Sequence, residues 1–379
     1  MKSSRVQSID ALRGLVMIVM ALDHIRDFFH YDAFIHNPLD LLYSPVDLFL
    51  TRWITHFCAP TFIFLTGLSA YMYGEKHSKN ELSKFLFTRG LWLIFLELTV
   101  VAFGWFFSFS FFAHETLMVI WAIGISMVFL AFMVRLPYTV ILITGVTIVL
   151  LHNLTDNIHF TQGSIINDLW MVLHVPGKIQ ITQNIAVFIF YPILSYLGLI
   201  CLGYAFGKLY GPEVDSPKRK KALLWIGLSG IALFIAVRYT NMYGDPHPWE
   251  YQVATRYTIL SFINCTKYPV SLLFSLMILG PSILLLYFFE GMQNILTKIL
   301  TTIGKVPMFY YIVHIYLIHT IAFFTENASD KTPFHLIGRF HLWTVYLIWF
   351  GVVLVLYFPC QWYGKYKSAH PEKWWLSYL

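Results

Sequence analysis

The sequence predicts an all-α fold, a polytopic transmembrane helical bundle of about ten spans with both termini in the cytoplasm. Three observations support this fold class. Hydrophobic residues make up 58% of the 379 residues and charged residues only 12%, and the mean hydropathy is +0.63. Apolar runs long enough to cross a hydrocarbon layer of about 30 Å recur along the whole chain. Lys and Arg are concentrated in alternate connections between these runs.

The predicted spans follow one another from end to end, which leaves no room for a separate soluble domain. We therefore expect a single domain over residues 1–379. The fifth span is the shortest. The approximate bounds of the ten spans are 8–29, 48–73, 84–108, 116–134, 137–153, 186–209, 220–241, 268–289, 303–325 and 341–359.

The positions of basic residues predict the orientation. Lys2 and Arg5 precede the first span, the run 218–221 (KRKK) lies between the sixth and seventh, and Lys365 and Lys373 follow the tenth. The loops on the opposite side are poorer in Lys and Arg. The positive-inside rule then places both termini in the cytoplasm. This placement accounts for the net charge of +6, so we expect no nucleic-acid partner.

Several site chemistries lack their usual sequence signals. The four cysteines, Cys58, Cys201, Cys265 and Cys360, have neither metal-ligand nor disulfide-framework spacing. The chain contains no Walker loop, GxSxG elbow or HExxH motif, so NTPase, serine-hydrolase and zincin functions lose support. No pair of histidines stands four residues apart on one predicted helix, and we expect no metal.

Ionisable residues inside the first apolar run are the strongest functional signal. Arg13 and His24 are separated by about three helical turns, or roughly 16 Å, and share one face of the predicted helix. The same stripe carries Asp10, Met17, Met20 and Asp27. Charged side chains cost free energy in lipid, so this stripe must face a protein interior or a water-filled cavity.

Three more histidines fall inside predicted spans. His56, His314 and His319 lie in the outer half of the bilayer by the 1.5 Å rise per residue, as His24 does. The four histidines could therefore converge on one layer. A histidine suits general-base chemistry because its ordinary pKa is near neutrality, and Asp23 or Asp27 could tune His24. The alternative is that each histidine only hydrogen-bonds a neighbouring helix.

Arginines occupy the inner part of the same predicted path. Arg13 is a permanently charged donor suited to a phosphate or thioester oxygen, and the alternative is an arginine that reaches the inner headgroups. Arg89 lies toward the cytoplasm, where Glu97 is one partner it could pair with. The predicted catalytic residues are thus His24, His56 and His314. The predicted substrate-binding residues are Arg13, Asp23, Asp27, Arg89 and His319.

Eight segments of the chain carry a resemblance to a known family: SIDALRGLVMIVMALDH, RWITHFCAPTFIFLTGLSAYMY, FLFTRGLWLIFLELTVV, VIWAIGISMVFLA, YPILSYLGLICLGYAFG, CTKYPVSLLFSLMILGP, GKVPMFYYIVHIYLIH and WWLSYL. They resemble the catalytic-domain family of heparan-α-glucosaminide N-acetyltransferase, especially its bacterial members. The resemblance extends over nearly the whole chain. Within the first predicted span, the D-x-x-R-G sequence and the ten residues between Arg13 and His24 also resemble integral-membrane acyltransferases that modify bacterial glycans.

The resemblance implies transmembrane acyl transfer. Acyl-CoA, in particular acetyl-CoA, would be the co-substrate on the cytoplasmic side. An amine or hydroxyl of a sugar or glycan would accept the acyl group on the outer side. By position, His24 becomes a candidate general base or transient acyl carrier, and Arg13 a candidate for binding CoA or for holding the first helix in place. The human-type pattern has an asparagine at the position of His24 and a histidine in the following loop, so His30 and His36 are alternative bases.

Two other functions remain open from the sequence. A transporter or flippase of a small or lipid-linked substrate would also need a polar path through the helices, although the inverted-repeat signature of many transporters is not visible. A non-catalytic membrane protein would use the histidines for helix contacts alone. In every case membrane lipid is a partner, and a homodimer is possible.

Overall fold

The chain is predominantly helical in the computed structural model, which describes residues 6–33, 35–108, 114–325, 340–373 and 375–376. A π-helical turn, Glu97–Val101, joins α4 to α5. The α-helices are α1 (Gln7–Phe29), α2 (Val46–Thr55), α3 (Cys58–Gly74), α4 (Lys79–Leu96), α5 (Ala102–Phe106), α6 (Val119–Met133), α7 (Tyr138–Leu151), α8 (Ile165–Leu173), α9 (Leu194–Phe206), α10 (Ser216–Thr240), α11 (Thr255–Ile263), α12 (Leu272–Phe289), α13 (Ile295–Gly304), α14 (Pro307–Thr325) and α15 (Leu342–Ala369).

The chain divides into two compact units. Unit 1 comprises residues 1–58, 103–107 and 285–379, and unit 2 comprises residues 59–102 and 108–284. In unit 1, α1 packs against α13, α14 and α15, and in unit 2, α4 packs against α6 and α7 against α9. Unit 1 therefore contains both ends of the sequence. The prediction of a single domain over 1–379 stays a prediction.

Seven helices among the described residues are long and apolar enough to cross a membrane. Three shorter apolar helices, Val119–Met133, Leu194–Tyr210 and Ile295–Gly304, accompany them. The seven are Val46–Gly74, Lys79–Phe106, Tyr138–Thr155, Ser216–Thr240, Leu272–Phe289, Pro307–Thr325 and Leu342–Ala369.

The long helices match seven of the ten predicted spans. The predicted fifth span, the shortest by sequence, coincides with one of the seven, whereas the predicted fourth and sixth coincide with shorter helices. The first predicted span is α1, which is not among the seven. The number of ten spans and the cytoplasmic position of both termini stay predictions. Lys2 and Arg5, on which part of the orientation rests, lie outside the described residues.

A small three-stranded sheet departs from the all-α prediction. Its strands are β1 (His114–Leu117), β2 (Gly177–Gln180) and β3 (Ala186–Ile189), in the order β1-β3-β2. β1 pairs parallel to β3, and β2 pairs antiparallel to it. The predicted start of the sixth span at residue 186 is therefore wrong, because β3 precedes α9. Each strand has only four residues, too few for a clear alternating pattern.

Two glycines allow α1 and α13 to approach each other closely in unit 1. A Cβ atom added to Gly14 would lie 1.9 Å from the carbonyl oxygen of Leu300. One added to Gly304 would lie 1.9 Å from the carbonyl oxygen of Asp10. Small residues at helix contacts are typical of membrane proteins, where dispersion forces between close backbones drive association. This contact fixes the first half of α1.

The outer surface of α15 is strongly apolar. Phe350, Leu354, Phe358 and Trp362 stand four residues apart, and each is 55% to 67% exposed. A helical stripe of large exposed apolar side chains is unfavourable in water and favourable in a bilayer. Together with the seven long apolar helices, this surface identifies an integral membrane protein.

Candidate functional site

His24 and His314 form a hydrogen-bonded pair between α1 and α14. Nδ1 of His24 lies 2.7 Å from Nε2 of His314. The two rings are stacked, with centroids 5.0 Å apart and an angle of 17° between their planes. His314 is completely buried, with 0% of its surface exposed, whereas His24 is partly exposed. The structure thus brings together two of the three predicted catalytic histidines, and leaves one of them accessible.

The hydrogen bonds of His314 indicate which ring nitrogens of the pair carry a hydrogen. Nδ1 of His314 lies 3.1 Å from the carbonyl oxygen of Tyr310. A carbonyl oxygen only accepts, so Nδ1 carries the hydrogen, and Nε2 of neutral His314 must be the acceptor. Nδ1–H of His24 then donates to that Nε2. In neutral His24 the lone pair is consequently on Nε2, the nitrogen that can take up a proton.

Aromatic side chains surround the partly exposed histidine. Trp105 meets His24 edge-to-face with ring centroids 4.9 Å apart, and Tyr311 does so at 6.1 Å. Phe28 stacks on Trp105 at 5.5 Å. Aromatic side chains of this kind exclude water and strengthen the polar interactions beside them.

Two residues whose rings contact the histidine pair each carry a buried polar atom without a hydrogen-bond partner among the described residues. These atoms are Nε1 of Trp105 and the hydroxyl of Tyr310. Tyr310 stacks against His314 with ring centroids 5.4 Å apart. Buried polar groups in native proteins are nearly always satisfied, so groups without a protein partner indicate a place for water or a ligand.

His319 lies one and a half turns beyond His314 on α14. Its Nδ1 donates to the carbonyl oxygen of Gly104, 2.9 Å away. Its ring stacks on Phe107 with centroids 3.9 Å apart and contacts Phe28 at 5.1 Å. The structure therefore places this predicted substrate-binding residue against the segment that carries Trp105.

His56, the third predicted catalytic histidine, lies at the carboxyl end of α2. It is buried, with 1% of its surface exposed. It belongs to unit 1, as His24 does. Its predicted catalytic role stays a prediction.

The predicted acidic ligands Asp23 and Asp27 pair with arginines at the carboxyl end of α1. Nη2 of Arg26 lies 3.0 Å from Oδ1 of Asp23 and 2.5 Å from Oδ1 of Asp27. Arg52 of α2 forms a further ion pair with Asp23. Two carboxylates and two guanidinium groups balance one another, so this cluster joins α1 to α2 beside His24.

Arg13 occupies the contact between α1 and α13. Its Nη1 donates to Oδ1 of Asp10 at 2.8 Å and to the carbonyl oxygen of Gly304 at 3.2 Å. Gly304 is the last residue of α13, where unsatisfied carbonyls and the helix dipole favour a cation. Of the two roles expected for Arg13, these contacts match the one that holds the first helix in place.

Arg89 and Glu97 belong to unit 2. The guanidinium of Arg89 lies 4.2 Å from the ring centroid of Phe85, one turn earlier on α4. The buried carboxylate of Glu97 accepts from the backbone N–H groups of Met118 and Trp121 at 3.3 and 3.2 Å. Glu97 thus caps the amino terminus of α6.

The two loop histidines differ in exposure. His30 is buried, and its Nδ1 accepts from the backbone N–H of Asp32 at 3.3 Å. Burial lowers the pKa of His30, which the carboxylate of Asp32 opposes. His36 is exposed, and its Nδ1 pairs with Oδ1 of Asp32 at 2.7 Å. A carboxylate-oriented, solvent-accessible imidazole is a chemically competent base.

Sequence reasoning missed the aromatic partners of the pair. Trp105, Tyr310 and Tyr311 lie in apolar runs rich in aromatic residues, where composition distinguishes none of them. Among the described residues no group of three or more His, Cys, Asp or Glu side chains is arranged to hold a metal ion.

Fold and site together define the class of this protein, a helical integral membrane protein with a hydrogen-bonded histidine pair, of which one ring is buried and the other partly exposed. The family model described as heparan-alpha-glucosaminide N-acetyltransferase, catalytic, matches residues 5–241. The chain belongs to this family, which implies acyltransferase activity. The match includes His24 but ends before His314. The comparison with curated proteins gave no match.

Proposed function

We propose that this protein is a membrane acyltransferase that moves an acetyl group from acetyl-CoA on the cytoplasmic side to an amine or hydroxyl on the outer side. The acceptor is a sugar or another envelope component, and the membrane is the bacterial inner membrane. Family membership supports the reaction class. The observation that carries the mechanism is the hydrogen bond between His24 and His314. Its direction follows from the carbonyl oxygen of Tyr310, which accepts from Nδ1–H of His314 and leaves Nε2 of His314 as the acceptor.

His24 is the general base in this mechanism. Its Nε2 takes a proton from the acceptor as the acceptor's nitrogen or oxygen forms a bond to the thioester carbonyl carbon. The carbon–sulfur bond then breaks, and the CoA thiolate leaves and takes the proton, so that CoA and the acetylated acceptor are the products. General-base assistance of this kind accelerates a reaction by about 10² to 10⁴-fold.

His314 positions His24 and does not touch the acceptor. It is completely buried, and it accepts from Nδ1–H of His24 while it donates to the carbonyl oxygen of Tyr310. When Nε2 of His24 becomes protonated, this hydrogen bond stabilises the imidazolium. The role corresponds to that of the third member of a catalytic triad, which orients its histidine and sets the tautomer.

Arg13 and the acidic cluster frame the site in this proposal. Arg13 holds the first half of α1 against α13 and remains a candidate for the CoA phosphates, since 16% of its side chain is exposed. Asp23 and Asp27 hold the end of α1 that carries His24. The substrate contacts of Arg89 and His56, and assembly as a homodimer, stay predictions.

His36 is the second candidate base. It is supported by its ion pair with Asp32 and by its exposure. His36 would act as a base at a solvent-exposed position, whereas His24 would act in contact with the aromatic rings of Trp105 and Tyr311.

The test is acetyl transfer by the purified protein in lipid nanodiscs. Acetyl-CoA and glucosamine are supplied, free CoA is measured by a thiol reagent, and acetylglucosamine by mass spectrometry. We expect transfer by the wild type, a loss of about 10² to 10⁴-fold in His24→Ala, and full rates in His36→Ala. The exposed His77→Ala serves as the matched control. Full activity in a folded His24→Ala, with loss in His36→Ala, would assign the base to the loop.

A further inference from the structure

The indole of Trp105 is an unexplained donor at the candidate site. Its ring lies edge-to-face with that of His24, at a centroid distance of 4.9 Å. The side chain is buried, with 7% of the residue exposed, and Nε1 has no hydrogen-bond partner in the described part of the chain. An indole N–H donates and never accepts. The atom therefore has one hydrogen bond to offer to a ligand.

The segment around Trp105 is held firmly. His319 donates to the carbonyl oxygen of Gly104 at 2.9 Å and stacks on Phe107. On the other side, Phe28 stacks on the indole of Trp105 with centroids 5.5 Å apart. Gly104 fits closely, since an added Cβ would lie 2.8 Å from the ring of Tyr316. These contacts preorganise the indole and leave it little freedom to turn away from His24.

Backbone strain marks the end of the same segment. Phe107 has a φ of +42°, in the left-handed region that non-glycine residues avoid because of clashes with Cβ. Such strain persists only where surrounding contacts enforce it, and it concentrates at functional sites. The ring of Phe107 stacks on His319, with ring planes 13° apart.

We propose that Trp105 is a further substrate-contacting residue, and that its indole N–H donates a hydrogen bond to the acyl carbonyl oxygen as that oxygen gains negative charge. This inference rests on the proposed function. While the acceptor bonds to the carbonyl carbon and His24 takes the proton, the electron pair of the C=O bond moves onto oxygen. The indole stabilises this oxyanion without transferring a proton and releases it when the carbon–sulfur bond breaks.

The chemistry favours the acyl oxygen over a hydroxyl of the acceptor. A fixed donor in a water-poor site contributes most where charge develops during the reaction. A sugar hydroxyl is itself a donor and acceptor, and gains no such charge. His319 is then a positioning residue, because it acts through Gly104 on the segment that bears the indole.

The test compares kcat and KM for acetyl-CoA and glucosamine in Trp105→Phe and in the wild type, both in nanodiscs. Phenylalanine keeps an aromatic ring and removes the N–H. We expect kcat to fall by about 100-fold, as for loss of one oxyanion donor, with both KM values nearly unchanged. The matched control is Trp225→Phe, at a residue of α10 that is 60% exposed, and it should keep wild-type kinetics.

Two further substitutions separate the missing N–H from altered packing. Replacement of Trp105 by benzothienylalanine, which has the size of tryptophan but no N–H, should reproduce the fall in kcat. His319→Gln, which can still donate to Gly104, should retain more activity than His319→Leu. Wild-type kcat in either Trp105 replacement, or a rise in KM alone, would overturn the inference while transfer by the wild type upholds the proposed function. A wild type that transfers nothing would overturn both.

Discussion

Two polar centres, one in each compact unit, differ in how many of their polar groups have hydrogen-bond partners. In unit 2, Arg238 is 1% exposed and donates to four backbone carbonyls, those of His247, Ser261, Phe262 and Asn264. In unit 1, the rings of Trp105 and Tyr310 contact the His24–His314 pair. The indole N–H of Trp105 and the hydroxyl of Tyr310 have no partner among the described residues.

The difference separates a structural centre from a candidate catalytic one. Arg238 donates four hydrogen bonds to backbone carbonyls, and Asp245 beside it accepts from Thr266 and Ser271. Around His24 the protein leaves donors unused and one imidazole partly exposed, which is the arrangement expected where a substrate supplies the missing partners.

The largest effect on stability is expected from Arg238→Met. The substitution leaves four carbonyls and the buried Asp245 without their cation, a change that costs about 3–5 kcal/mol in buried ion pairs. We expect a large drop in the thermal unfolding temperature, measured in detergent, with acetyl transfer per folded molecule retained. Arg256→Met, at an exposed position of α11, is the control. An unchanged unfolding temperature would contradict a structural role for Arg238.

Substitution of His314 is expected to lower activity rather than stability, which is the reverse of the result expected at Arg238. His314→Leu removes the acceptor for His24, so kcat should fall by about 10- to 100-fold while the unfolding temperature changes little. His314→Gln can accept from His24 and donate to Tyr310, and should recover part of the rate. The pH profile of kcat should also move in His314→Leu, since the imidazolium of His24 loses its support. Equal kinetics in the two variants would exclude a hydrogen-bonding role.

The ion pair between Asp23 of α1 and Arg52 of α2 should contribute modestly to stability. In a double-mutant cycle of Asp23→Asn and Arg52→Met, we expect a coupling free energy of about 1 kcal/mol in thermal unfolding. The pair is only partly buried, with 13% and 14% of the side chains exposed. Strict additivity of the two substitutions would show that α1 and α2 are not joined here.

The smallest expected effect is a pH dependence at His30. Burial lowers its pKa in the folded protein below the ordinary value of 6.5. As pH falls through 6.5 the unfolded chain takes up the proton first, so acid favours unfolding, and above that pH the effect disappears. The wild type should therefore lose more thermal stability between pH 8 and pH 5 than His30→Gln. Parallel pH curves for the two proteins would contradict this sign.

Much of the helical fold follows from the sequence because long apolar runs leave few alternatives in a bilayer. Leu272–Phe289 and Pro307–Thr325 coincide closely with predicted spans. The sheet was not predicted, because GKIQ and AVFI are too short for a strand pattern. The span predicted over 303–325 begins at Pro307, and the separate helix α13 (Ile295–Gly304) before it was not predicted.

The candidate site was predictable in part. The rise per residue placed His24 and His314 at similar depths, yet only the folded chain shows that their rings meet. The carbonyl of Tyr310 decides which nitrogen of His24 accepts a proton, and no sequence pattern encodes that contact. Trp105 was missed because a tryptophan in a membrane span is common, and a buried N–H without a partner is a property of the fold alone.

The central claim is that His24 and His314 act as one unit, and a double-mutant cycle on kcat tests it most directly. The rates of acetyl transfer are compared for the wild type, His24→Ala, His314→Leu and the double variant. Residues that act together lose activity non-additively. We predict that the double variant is no slower than His24→Ala alone. A double variant whose loss is the product of the two single losses would contradict the claim.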